Sequence, residues 1–217
     1  MDSKAPHYPR WSWPQILVAG LSIIAVYLAM RVVNNWLALP AGYALPLFPP
    51  AGVGLALATA GGMRVLPAVA LGAGLAAFPL HINNPALSQS AAIVATLTGA
   101  LGALLQAWLG ASQFRRRMRP AIDSGHDVMV YFLLTPVICL TSATISVPVL
   151  YALGAFDEVA QLRFWFAWWA GDTLGVLLAA PLCWIICGAP RRLWRRRAPL
   201  VALPLLLASA AVVTIYR

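Results

Sequence analysis

Acidic charge is scarce in this sequence: six Asp and Glu stand against fifteen Lys and Arg, and charged residues make up only 10% of the 217. With 61% hydrophobic residues and no polar stretch long enough to wrap a water-soluble core, composition excludes a soluble domain. The net charge of +9 would suit nucleic acid if it lay on one soluble face. The arginines stand instead in short clusters between apolar runs, which is the positive-inside pattern of a membrane protein and no DNA footprint. The three cysteines, Cys139, Cys183 and Cys187, fall inside apolar segments without metal-ligand types beside them, so they read as small core residues. Paired intramembrane carboxylates, a serine or cysteine nucleophile beside a histidine, and a glycine-rich phosphate loop in an aqueous setting are missing too. Catalysis is therefore not expected of this chain alone, and neither is a cofactor or a metal.

Apolar stretches measured against the roughly 20 residues that cross a bilayer give seven candidate spans: Pro14–Ala38, Leu45–Gly61, Val65–Leu80, Ser88–Leu109, Val128–Leu153, Phe164–Cys187 and Pro199–Tyr216. A secretory signal is the alternative for the first of these, since Lys4 and Arg10 precede it. The run is too long, and Arg31, Asn34 and Asn35 interrupt it where such a signal stays apolar. The fold class expected is all-α: a polytopic transmembrane helix bundle of about seven spans, an eighth absent, with one span broken by proline.

Basic residues occupy every second connection: Lys4 and Arg10, then Arg64, then Arg115, Arg116, Arg117 and Arg119, then Arg191, Arg192, Arg195, Arg196 and Arg197. The intervening connections hold Arg163 alone. This alternation places residues 1–13 and the basic loops in the cytoplasm, with Trp11, Trp13 and Trp194 as interfacial anchors. The second span is irregular. Pro46, Pro49 and Pro50 remove backbone donors in its first half, leaving about a dozen helical residues, or about 18 Å at 1.5 Å per residue. Irregular backbone at membrane depth is tolerated only where protein or a wet cavity surrounds it, so this segment marks a candidate binding site.

Two opposite charges lie at matching depth. Arg31 is near the outer end of the first span and Asp172 a similar distance into the sixth, both about 10–12 Å below the outer boundary. An ionised side chain there costs a few kcal/mol unless paired or wetted, so the expectation is an Arg31–Asp172 pair or a shared polar cavity. For a pair, removing one partner destabilises more than removing both. Tyr27, Arg31, Asn34 and Asn35 form one polar stripe, and Trp165, Trp168, Trp169 and Asp172 form another. Trp165 suits interfacial anchoring, Trp168 and Trp169 a pocket wall. The Gly171 and Gly175 spacing lets another backbone approach Asp172. Ser146 and the Pro49-Pro50 break belong to the same outer half, with His81, Asn83 and Asn84 near its edge. The ligand-binding set expected is thus Arg31, Asn34, Asn35, Pro49, Pro50, Ser146, Trp168, Trp169 and Asp172. His81 reads as a hydrogen-bonded structural residue, His7 and His126 lie on the opposite side, and Asp123 or Ser124 reads as a helix cap.

Four stretches, in order, resemble the membrane-associated sensor domain of the first class (MASE family, class one) of bacterial signalling proteins: LPLFPPAGVGLALATAGGMRVLPAVALGAGLA, TLTGALGALLQAWLGASQF, DVMVYFLLTPVICLTSATISVPVLYALGAF and FWFAWWAGDTLGVLLAAPLCW. They cover roughly Leu45 to Trp184. Pro49, Pro50 and Gly52, then Gly72, then Trp168, Trp169, Gly171, Asp172, Gly175 and Pro181 match the family's pattern. The resemblance implies a sensory domain over 14–217, joined in relatives to a cytoplasmic histidine kinase, diguanylate cyclase or phosphodiesterase. The family has about eight spans against the seven counted here, which implies a last span and an output domain beyond residue 217.

The leading functional expectation is a sensor in the bacterial inner membrane whose outer hollow binds a small-molecule or membrane-derived ligand and biases a cytoplasmic domain. Expected partners are the lipid bilayer, a second copy of the chain, and a membrane or cytoplasmic signalling protein, with no nucleic acid. A small transporter or substrate-binding membrane subunit is the alternative, since broken helices and a midplane charge pair also serve transport. A purely structural anchor and dimerisation module is the third reading, and it has no need of buried charge.

Overall fold

The computed structural model describes residues 8–37 and 47–215, apart from the side chains of Asn35, Trp36, Leu37, Ser209, Val212, Val213 and Ile215. Lys4, His7, Leu45, Pro46, Tyr216 and Arg217 lie outside the described residues. Among the described residues the chain is all helical: α1 (Trp13–Leu37), α2 (Pro49–Gly61), a 3-10 turn (Met63–Val65), α3 (Leu66–Ile82), α4 (Gln89–Arg117), α5 (Gly125–Ala152), α6 (Glu158–Cys187) and α7 (Arg191–Ile215). Local chemistry sets several of the starts. Ser88 accepts from the Ala91 amide at 3.2 Å and Asp157 from the Ala160 amide at 2.8 Å. Ser124 and Asp127 form a reciprocal capping box, each satisfying an amide that the first turn would otherwise leave bare.

Five segments are long and apolar enough to cross a membrane: Trp13–Asn34, Met63–Ile82, Gln89–Arg117, Gly125–Ala152 and Glu158–Cys187. Two of the seven expected spans fall outside this set. The helix α2 has 13 residues, about 20 Å at 1.5 Å per residue against a hydrocarbon core of about 30 Å. The helix α7 opens with Arg191, Arg192, Arg195, Arg196 and Arg197. Large apolar side chains such as Leu21, Val32, Leu97, Leu133, Val137 and Ile186 point outward, while Thr59, Gln106, Thr135, Ser142 and Asp172 are buried. An apolar exterior around a polar interior reverses the order of a water-soluble protein and is what a lipid solvent demands.

Arg64, Arg115, Arg119 and Arg197 gather at one end of the bundle. Arg64 lies over the Trp13 ring at 5.4 Å and Arg115 over Tyr8 at 4.4 Å. Arg119 pairs with Asp123 at 2.8 Å and Asp127 at 3.2 Å, and Arg197 donates to the Ala121 and Ile122 carbonyls at 2.9 and 3.2 Å. Tyr8 donates to the Met118 carbonyl at 3.0 Å. Burial pushes its phenol up to about 12, outweighing the opposing pull of Arg115, so it remains a donor.

The helix α2 is a half-span that begins inside the bundle. Its C-terminal Gly61 abuts Trp11 at the basic end, while Phe48, just before its first turn, meets Gly171 and Gly175 partway along the 30-residue α6. A helix normally opens with unsatisfied amides. Here the first two helical positions are Pro49 and Pro50, which have no amide hydrogen to bury, Ala51 bonds back to the Phe48 carbonyl at 3.2 Å, and the Phe48 amide donates to the Gly171 carbonyl at 3.0 Å. The seat exists because Gly175 has no side chain: a Cβ there would overlap the Phe48 carbonyl, and one on Gly52 would overlap the Gly175 carbonyl. Without a hydrophobic drive between helices in lipid, such close backbone approach is the main source of packing. Gly175→Ala is therefore expected to lower stability by about 1–3 kcal/mol through overpacking. Gly74→Ala, whose added Cβ finds its nearest neighbours at 3.8 and 4.0 Å, should leave the melting temperature of detergent-solubilised protein nearly unchanged. Equal melting of the two variants contradicts this seating of α2.

Candidate functional site

A cavity of about 130 Å³ opens between α1, α3, α4 and α6, with Phe48, just before α2, Ala51 of α2 and Ser142 of α5 completing its wall. Much of the lining is small and apolar, including Val69, Ala73, Ala76, Ala77 and Ala103. Into this apolar wall project Tyr27, Arg31, Asn34, His81, Gln106, Trp168 and Asp172. The antiparallel pairing of α3 with α4 sets the depth of each: His81 meets Thr96 near one end, and Gly74 lies opposite Ala100 further in.

Asp172 is 3% exposed, and its Oδ2 accepts from Gln106 Nε2 at 3.0 Å. The Gln106 amide spans a helix junction, since its Oε1 accepts from the Ser142 backbone amide at 3.3 Å. Trp168 Nε1 donates to Ser142 Oγ at 3.2 Å, which fixes the indole against the cavity. Arg31 Nη1 donates to the Ala76 carbonyl at 3.0 Å. The Thr96 hydroxyl donates to the Ala92 carbonyl at 2.8 Å, so it accepts from His81 Nδ1, 2.9 Å away, and His81 stands in its Nδ1-protonated tautomer. Groups of His, Cys, Asp and Glu that could hold a metal are absent among the described residues.

Four of the nine residues expected from the sequence line this one cavity: Arg31, Asn34, Trp168 and Asp172. Arg31 and Asp172 do not form the direct ion pair, nor do they lie at matching depth: Arg31 is held by the Ala76 carbonyl, level with about Gly99, and Asp172 by Gln106, seven residues further along α4; they share the cavity without meeting. Pro49 and Pro50 start the half-helix whose Phe48 and Ala51 face the cavity, and are not themselves in its wall. Trp169 turns to α5, donating to the Pro136 carbonyl at 2.8 Å and stacking with Trp165 at 6.3 Å. Ser146 is buried in the α4–α5 seam, where Gly102 leaves room for it, and its Oγ has no hydrogen-bond partner. The side chain of Asn35 lies outside the described residues.

Gln106 is the residue that sequence reading missed. It is a lone amide within the apolar run of α4, and an uncharged polar residue at such a position carries the same desolvation message as a charge, in a weaker form. Gln106→Leu removes the amide donor to Asp172 and the acceptor of the Ser142 amide, and should cost about 1–3 kcal/mol. Asp172→Leu alone is expected to destabilise more than Asp172→Leu combined with Gln106→Leu, since the single change buries an unsatisfied amide. Additive melting shifts across this cycle remove the coupling.

Comparison with known proteins agrees with the architecture. No curated protein and no solved structure matches the chain. The family model MASE1 matches residues 17–216, which takes in all of the cavity residues and the half-helix. By that match the chain belongs to the MASE1 family, the membrane-associated sensor domains of signalling proteins.

Proposed function

We propose that this chain is the membrane-embedded input module of a bacterial histidine kinase or of a cyclic-di-GMP cyclase or phosphodiesterase. In this reading the arginine-rich end faces the cytoplasm, about seven segments enter the inner membrane with α2 as a half-span, and the cavity opens to the outer side. The observation that carries it is the placement of Asp172, Gln106 and Arg31 around one cavity within the bundle, at a cost that a membrane anchor has no reason to bear. Catalysis belongs to an attached cytoplasmic domain, and the chain needs no cofactor.

The half-helix α2 supplies a route for the signal. One end contributes Phe48 and Ala51 to the cavity. Towards its other end, the Ala56 carbonyl accepts from Trp184 Nε1 at 3.3 Å and the Thr59 carbonyl from Arg115 Nη1 at 2.7 Å. Trp184 packs on Trp194 of α7 at 6.3 Å, so a shift of α2 along α6 reaches α7 through adjoining side chains. A ligand drives such a shift only by binding two packings with different affinity.

Sidedness and coupling both test this reading. In a variant lacking the three native cysteines, Ala103→Cys in the cavity should react with a membrane-impermeant maleimide in intact cells, while Arg116→Cys at the basic end should react only in inverted vesicles. Reaction of both from the same side defeats the outward cavity. With the chain fused through α7 to a diguanylate cyclase domain, Asp172→Asn should change cyclic-di-GMP production by about fivefold or more at equal abundance. Unaltered output in Asp172→Asn and in Gly175→Ala defeats the relay, and accumulation of solute in vesicles would assign the cavity to transport.

A further inference from the structure

Resting on the sensory reading of this cavity, we infer that its ligand is a small zwitterion, with an ammonium held by Asp172 and a carboxylate held by Arg31. Both residues line the cavity, and neither has an oppositely charged partner among the described residues, whose ion pairs all belong to Arg119. Asp172 has one neutral donor in Gln106. Arg31 spends one donor on a carbonyl that carries no net charge, although a guanidinium has five donors to place. A ligand bearing both signs gives the buried carboxylate and the half-buried guanidinium each its complement and brings no net charge into the bundle. A simple cation or anion satisfies one and leaves the other bare.

Helix register gives the spacing. Ala76, which holds Arg31, lies at about the depth of Gly99 on the register set by His81 with Thr96 and Gly74 with Ala100. From Gly99 to Gln106, which holds Asp172, is about 10 Å along α4 at 1.5 Å per residue. Allowing about 3 Å for each charged hydrogen bond leaves about 4 Å along that axis, to which the sideways offset between α1 and α6 adds. That is longer than the reach of an α-amino acid, whose charges sit on adjacent carbons, and suits an ω-amino acid. The alanine wall of Ala73, Ala77 and Ala103 suits the methylenes, and the rings of Phe48, Tyr27 and Trp168 suit an ammonium.

The test measures how far γ-aminobutyrate and 5-aminovalerate slow maleimide labelling of Ala103→Cys, beside butyrate and butylammonium as single-charge controls. At least one zwitterion should slow labelling and raise the melting temperature, with the controls at least about tenfold weaker. Asp172→Asn, which keeps an acceptor for Gln106, and Arg31→Gln should each weaken protection about tenfold while remaining folded, and Arg31→Lys should restore part of it. Labelling that proceeds from outside but is slowed by no zwitterion overturns the ligand class and leaves the sensory cavity standing. Protection that survives both Asp172→Asn and Arg31→Gln overturns it as well. Labelling that never occurs from outside defeats the cavity and the ligand together.

Discussion

Backbone amides and charges buried in hydrocarbon must find partners inside the protein, and every irregular feature of this chain follows from that constraint. It acts most visibly on α2. A helix that starts within the bundle can leave no amides bare, and the Pro49-Pro50 pair meets the condition by having none to bare. The two amides on either side of the pair, of Phe48 and Ala51, bond to the Gly171 and Phe48 carbonyls. The glycines of α6 then let the start of α2 approach closely enough for the Phe48–Gly171 bond to form.

The same constraint organises the cavity. Asp172 and Arg31 cannot face lipid, so their helices turn them inward, where Gln106 and the Ala76 carbonyl receive them. Neutral hydrogen bonds lessen the cost of a buried charge without cancelling it, and the proposed ligand is one that does. Phe48 and Ala51 belong to this wall, and Ala51 belongs also to α2, which runs from there to the arginine-rich end.

The span pattern was legible because hydropathy integrates over about 20 residues and tolerates local error. Its expected limits fall close to α1, α3 and α5, whereas α4 runs on to Arg117, α6 starts at Glu158 and α7 at Arg191, because helices continue past the apolar run that hydropathy detects; the Ser124 cap, the interrupted second span and the close approach at Gly171 and Gly175 were readable from local chemistry. The site was legible in part. Arg31, Asn34, Trp168 and Asp172 stood out by charge or by helical spacing, and they share the cavity. Spacing could not separate Trp168 from Trp169, because adjacent residues on a helix point about 100° apart and which one faces inward depends on the neighbouring helix. Ser146 failed for a similar reason: it has the right depth on a helix whose inward face at that level meets α4.

By itself, the sequence determined that this is a helical membrane protein, where its segments run, and that a carboxylate and a guanidinium are too costly to leave in lipid. Those are properties of single segments in contact with solvent or hydrocarbon. Only the tertiary structure decided that Asp172 goes to Gln106 and Arg31 to the Ala76 carbonyl, so that the two charges face one cavity without touching. That choice depends on the register of α3, α4 and α6 against each other, which glycine and alanine contacts between helices set and which no single segment encodes.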